Sequence, residues 1–221
     1  MYANTGDGSL FTVRRIYCVG RNYVEHVREM KEGDERDPPF FFQKPTDALV
    51  ADRGIIPYPP LTEDLQYEVE LVVAIGQRGQ DVAPERALEM VFGYAVGLDM
   101  TRRDRQREAG RKGLPWEIGK SFDHSAPCGT IGPATRVGHL SAASIKLLVN
   151  GKARQDSDIS HMIWKAPEIV SNLSKQYELH PGDLIFTGTP AGVGPVRPGD
   201  QLDAHIAGLP SLTVRIGPPS N

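Results

Sequence analysis

An α+β fold dominated by strands is predicted by two features of the sequence. The 221 residues carry 23 glycines and 18 prolines, and this dense punctuation separates many short β-branched runs, the pattern of strands joined by turns. Helical periodicity is confined to a few segments. In chain order, Arg15 to Val19 is the first strand, closing at Gly20, and roughly Tyr23 to Met30 reads as a short helix. Phe40 to Gln43 follows as an aromatic strand, then the apolar run Val69 to Ile75. Pro84 to Met90 has helical spacing, Tyr94 to Leu98 is strand-like, and Thr101 to Arg107 opens a polar helix. Ile145 to Val149 leads into Val149-Asn150-Gly151-Lys152, whose Asn-Gly pair is the signal of a tight hairpin. Ala166 to Lys175 carries an apolar stripe at Ile169, Val170 and Leu173, as a packed core helix does. Leu184 to Thr187, Gln201 to Ile206 and Leu212 to Ile216 complete the strands, ahead of the polar tail Gly217 to Asn221. No internal repeat or heptad pattern interrupts this order.

A chain of this length is most simply one domain, or a core with a small N-terminal appendage, and can bury a sizeable core. Its 25 basic and 28 acidic residues give a net charge of −3, with no long run of one sign. That leaves no electrostatic footprint for nucleic acid or an anionic membrane, and the expected partner is a small molecule. No apolar stretch approaches the ~18–20 residues of a membrane span, and Met1 to Leu10 lacks the regions of a signal peptide, so a cytoplasmic protein is expected. Cys18 and Cys128 lie far apart without C-x-x-C spacing and read as small buried hydrophobes rather than a disulfide or zinc site.

Glu68 and Glu70 stand at the head of the third strand. Residues two apart on a strand share a face, so both carboxylates project into one environment and require something positive between them. Asp99, at the end of Tyr94 to Leu98, supplies a third carboxylate. This is the donor set of a hard divalent cation such as Mg²⁺, Mn²⁺ or Ca²⁺. The alternatives are a solvated strand face for the glutamates and a helix cap for Asp99.

Three other segments carry candidate chemistry. His26 and Glu29 are three apart on the first helix and therefore neighbours on one face, where a carboxylate can orient an imidazole as a general base; the bland alternative is a surface pair. The glycine before this helix and the charged loop Lys31 to Asp37 after it suggest a mobile lid. Lys120, in Gly119-Lys120-Ser121, would if buried neutralise a substrate carboxylate or an enolate oxygen. Gly188-Thr189-Pro190-Ala191-Gly192 is a glycine-rich turn that lacks the Lys-Ser/Thr ending of a phosphate-binding loop. Its N–H groups and the Thr189 hydroxyl suit a carboxylate.

Tyr17-Cys18-Val19-Gly20-Arg21-Asn22-Tyr23, Phe41-Phe42-Gln43-Lys44-Pro45, Tyr67-Glu68-Val69-Glu70-Leu71, Gly97-Leu98-Asp99-Met100-Thr101, Gly113-Leu114-Pro115-Trp116, Lys120-Ser121-Phe122 and Asp183 to Pro195 stand in one order along the chain, with His26 to Met30 behind the first. In that order the chain resembles the fumarylacetoacetate hydrolase family, and in particular its short acylpyruvate-hydrolase branch. The resemblance covers residue 15 to the C-terminus and implies a single catalytic domain over 15–221 with residues 1–14 as an extension. It implies a mixed β-sandwich roll, a homodimer, and Mg²⁺ or Mn²⁺ held by Glu68, Glu70 and Asp99. On the same basis His26 and Glu29 resemble the family's water-activating pair and Lys120 its active-site lysine. Arg21, Arg103, Gln106 and Thr189 resemble substrate contacts, and Lys44 falls within a matching motif. The implied reaction is hydrolysis of a 2,4-dioxo acid to pyruvate and a carboxylic acid. Pro39 to Pro45 resembles the fumarylpyruvate hydrolases of gentisate breakdown, with Lys44 or an arginine meeting the second carboxylate. The rival within the same site is an oxaloacetate decarboxylase; a non-catalytic metal-binding protein is the rival from another class.

Overall fold

Alternation along Val69–Ile75 decides the architecture. Every residue of this strand is buried, and its two faces enter different cores. Val69, Leu71, Val73 and Ile75 join the larger cluster, while Val72 and Ala74 join a second one with Ile16, Cys18 and Leu184. A strand buried on both faces has no solvated side, which is why, past Glu70, Leu71 to Ile75 is a continuous apolar run rather than an alternation.

The structure is a computed structural model and describes residues 1–30 and 37–219. Val69–Ile75 lies inside a six-stranded sheet ordered Gly132–Pro133, Val91–Leu98, Val69–Ile75, Asp183–Phe186, Arg15–Gly20 and Phe40–Lys44. All its pairings are antiparallel except that between Asp183–Phe186 and Arg15–Gly20. A five-stranded sheet follows the order Lys152–Asp158, Ser144–Val149, Gln201–Ile206, Leu212–Pro219 and Ile55–Tyr58. Its inward residues Ile145, Leu147, Leu202, Ala204 and Ile206 meet the larger cluster, as do Ile169, Val170 and Leu173 of helix Ala166–Gln176. Each of these leucine, isoleucine or valine side chains removed from water contributes about 1.5–3 kcal/mol.

The predicted β-rich α+β class is the observed one. The predicted elements differ from those observed mainly at their ends, the polar helix running Arg103–Arg111 rather than from Thr101 and the Pro84–Met90 segment being a 3₁₀-helix, while short elements such as Ile55–Tyr58, Leu65–Tyr67 and helix Glu117–Lys120 were not expected. The Asn-Gly hairpin forms with Asn150 and Gly151 both at positive φ, 51° and 74°. Its second arm, Lys152–Asp158, was not predicted, because only Gln155 of its seven residues is buried and it offers no apolar signal. Residues Tyr2–Asn4 and Leu10–Thr12 pair as a hairpin whose Ala3 and Phe11 cover the second core. Cys18 and Cys128 are buried and unbridged. Among the described residues, no helix is long and apolar enough to cross a membrane.

Candidate metal centre and active site

The three carboxylates come together by main-chain pairing. Glu68 occupies the interruption between strands Leu65–Tyr67 and Val69–Ile75, so only Glu70 lies within the strand proper. Asp99 follows the neighbouring strand Val91–Leu98, and its N–H donates to the Glu68 carbonyl at 2.9 Å. One oxygen from each of Glu68, Glu70 and Asp99 falls within 4.8 Å of the others, and all three residues are buried. Asp99 does not cap the following helix, which begins after Arg102 without a side-chain cap.

Cations surround this cluster. Lys120, at the end of helix Glu117–Lys120, donates from Nζ to Glu68 Oε2 at 2.7 Å, Asp99 Oδ2 at 2.8 Å and Thr101 Oγ1 at 2.8 Å. Arg103 donates to Glu68 from Nη2, to Gln66 Oε1 from Nε at 2.9 Å, and to Gln106 Oε1 from Nη1 at 3.2 Å. Lys44 Nζ stands 2.8 Å from Asp99 Oδ1 and donates to the carbonyls of Met100 and Lys120. Three buried carboxylates thus face three buried cations.

The distribution of that charge is uneven. Glu70 accepts one hydrogen bond, from Gly188 N–H at 2.8 Å, and has no cation within ion-pair distance among the described residues. Gly188 can aim its N–H there because its φ is +94°, and a Cβ at this position would lie 2.7 Å from that of Asn22. Burial, and then the charges of Asp99 and Glu68, push the Glu70 carboxyl well above the ordinary carboxylate range. Burial also opposes ionisation of Glu68, but Lys120 and Arg103 outweigh it and hold its carboxyl low. Lys120 is buried too, yet Asp99 and Glu68 raise its ammonium pKa. Asp99 Oδ1 has no partner in hydrogen-bonding line. A carboxylate left repelled by its neighbours, in an all-oxygen donor set, fits a hard divalent cation.

Of the residues expected at the site, Arg21, His26, Glu68, Glu70, Asp99, Arg103, Gln106, Lys120 and Thr189 all line one cleft. His26 is buried, on helix Val24–Met30. The Glu29 side chain and residues 31–36 of the expected lid lie outside the described residues. Lys44 does not line the cleft: it is buried behind it, engaged by Asp99 and two carbonyls, and so cannot meet a substrate carboxylate.

Sequence reasoning missed several participants. Gln155 is fully buried, and its Nε2 donates to Thr189 Oγ1 and the Pro190 carbonyl, each at 2.8 Å, while Oε1 accepts from Val69 N–H at 3.0 Å. It fixes Thr189 against the carboxylate strand from the other sheet, and a lone glutamine in a polar run gives no sign of this. Phe42 and Trp116 also line the cleft. Phe42 stands in the aromatic strand Phe40 to Gln43 and Trp116 in the Gly113-Leu114-Pro115-Trp116 block, and neither pattern by itself marks a cleft-lining side chain.

The chain is similar to known proteins over nearly its whole length. The family model for the fumarylacetoacetate (FAA) hydrolase C-terminal region matches residues 15–217. The oxaloacetate tautomerase FAHD1, mitochondrial, of Homo sapiens is 42% identical over 206 residues, covering 93% of each chain. A fumarylpyruvate hydrolase of Ralstonia sp is 43% identical over 179 residues, covering 81% of this chain and 93% of the relative. The crystal structure of fumarylpyruvate hydrolase from Pseudomonas aeruginosa in complex with Mn²⁺ and pyruvate superposes with a TM-score of 0.96 at 52% identity, covering 98% of this chain and 95% of that one.

Proposed function

The chain belongs to the fumarylacetoacetate hydrolase family, and on that premise we propose that it is a divalent-metal-dependent hydrolase that splits fumarylpyruvate into fumarate and pyruvate, acting as a homodimer. The observation that carries this reading is the cluster of Glu68, Glu70 and Asp99, with oxygens within 4.8 Å of one another, in a cleft that also holds His26.

The chemistry needs a chelated 2-oxo acid, a proton acceptor and an electron sink. Bound at Glu68, Glu70 and Asp99, Mg²⁺ or Mn²⁺ would supply Lewis-acid polarisation of the substrate's carboxylate and 2-oxo oxygens. His26 takes a proton from water, and the oxygen adds to the C4 carbonyl. When the C3–C4 bond breaks, its electron pair passes to C3 as the enolate of pyruvate, and a proton restores the ketone. The other product is fumarate; one water is consumed and, because the new carboxyl ionises, one proton is released, so atoms and charge balance. Thr189, held by Gln155, offers its hydroxyl to the substrate carboxylate. Lys120 balances the charge of Glu68 and Asp99; to reach a developing oxyanion it must release one of its three acceptors.

The test follows the loss of fumarylpyruvate enol absorbance with Mg²⁺, with Mn²⁺ and with EDTA. Rapid metal-dependent loss with release of pyruvate and fumarate is expected. A second reading, action on oxaloacetate, draws support from the relatives named oxaloacetate tautomerase. Oxaloacetate run in parallel separates the outcomes: CO₂ release marks a decarboxylase, enol equilibration without CO₂ marks a tautomerase, and either one without turnover of fumarylpyruvate overturns the hydrolase reading.

A further inference from the structure

Resting on the hydrolase reading, we propose that Arg21 selects for a dicarboxylate acyl group: its guanidinium, stacked on Phe40 and Trp116 at the rim of the cleft, binds the carboxylate at the substrate's far end. The flat conjugated acyl chain then runs along Phe42 and Trp116, which line the cleft between.

Among the described residues, the cations lining the cleft are Arg21, Arg103 and Lys120. Arg103 and Lys120 are buried and turned onto the metal-site carboxylates. Arg21 is exposed and differs from both in where its charge stands. It joins strand Arg15–Gly20 to helix Val24–Met30 at a φ of 60°. A non-glycine residue there is uncommon, and such outliers concentrate at binding sites.

The guanidinium carbon lies 5.5 Å from the Phe40 ring centroid and 5.9 Å from that of Trp116. The two rings meet edge to face at 5.0 Å. Gly20 permits this packing, since a Cβ there would come within 2.1 Å of the Phe40 ring. Stacking on ring faces orients the planar fork while its N–H donors stay in the guanidinium plane, where a carboxylate can be gripped through two oxygens.

Arg21 also lines the adjoining cavity with Asp37, Pro38, Phe40, Ile163 and Trp164, so it stands where the two spaces meet. That wall is fixed by Asn22, which donates to the Trp164 carbonyl at 2.9 Å and the Thr187 carbonyl at 2.7 Å and accepts from Trp164 N–H at 2.7 Å.

The test compares fumarylpyruvate with acetylpyruvate, which lacks the second carboxylate, on wild type and on Arg21→Gln and Arg21→Lys. The ratio of kcat/KM for the diacid to that for the monoacid should fall by about 10–100-fold in Arg21→Gln, the range of a lost hydrogen-bonded charge contact. In Arg21→Lys, which keeps the charge without the fork, the fall should be smaller. Equal losses on both substrates would overturn the proposal. Calorimetric binding of fumarate and crotonate to the Mn²⁺-loaded proteins separates this from failure of the hydrolase reading. If wild type turns over neither substrate but binds fumarate more tightly than crotonate, and Arg21→Gln removes that preference, the Arg21 subsite stands without the hydrolase. No preference in wild type, or a preference unchanged in the variant, refutes it.

Discussion

Glu70→Gln separates the two jobs of the carboxylate cluster. Glutamine keeps the shape and the acceptor for Gly188 N–H but removes the charge. With oxygens within 4.8 Å, each carboxylate pair repels by at least about 3.5 kcal/mol at an effective dielectric of 20. Glu70 has two such neighbours, and Lys120 cancels part of the repulsion. A net gain of about 1–3 kcal/mol is expected for metal-free Glu70→Gln near pH 8, or about 2–4 °C in Tm per kcal/mol for a chain of this size. The sign follows from linkage. The folded carboxyl is raised above its unfolded value, so the unfolded state loses its proton first as pH rises, and wild type is progressively destabilised above pH ~4.3 until the folded group ionises. The advantage of the variant therefore grows with pH. Mn²⁺ affinity should move the other way, falling by ~10²-fold or more, at least the upper end of what losing an outer contact to a ligand costs. Thermal unfolding in EDTA from pH 5 to 8 and Mn²⁺ titration calorimetry measure both. A variant less stable than wild type without metal at pH 8, or one binding Mn²⁺ with wild-type affinity, would refute this account of Glu70.

Glu68→Ala should abolish metal binding and, by leaving Arg103 and Lys120 short of a buried partner, cost about 3–5 kcal/mol in urea unfolding; full activity at saturating Mg²⁺ removes Glu68 from the ligand set. His26→Ala should lower kcat by ~10²–10⁴ while leaving Mn²⁺ affinity within a few-fold, and a wild-type rate rules out the base. Cys18→Ser should retain activity, because the thiol is fully buried and burial pushes its pKa well up; complete loss in a folded protein would identify a nucleophile.

Much of the site was legible because its chemistry is carried by short motifs on neighbouring strands. The Glu-x-Glu spacing and the aspartate at a strand end follow from the two-residue period and one antiparallel pairing, Val69 opposite Leu98. The lysine after Gly119 was recognisable as a site residue, and its burial beside two carboxylates explains why a lone lysine matters here. Lys44 stands one residue beyond the expected aromatic strand, and nothing in its neighbours tells that its ammonium faces inward to Asp99 rather than out to substrate.

By itself, the sequence determined the strand-rich class, most element centres and the identity of the carboxylates, since periodicity and donor type are local properties. Tertiary structure alone decided which charges cancel. Glu68 has two cations and Glu70 has none among the described residues, although they sit two residues apart. That asymmetry arises because Lys120 and Arg103 arrive from helices far along the chain, and Coulomb energy depends on distances in space that spacing in sequence does not encode. The same holds for Thr189, aimed by a glutamine from the other sheet, and for Arg21, whose cradle joins Phe40 and Trp116.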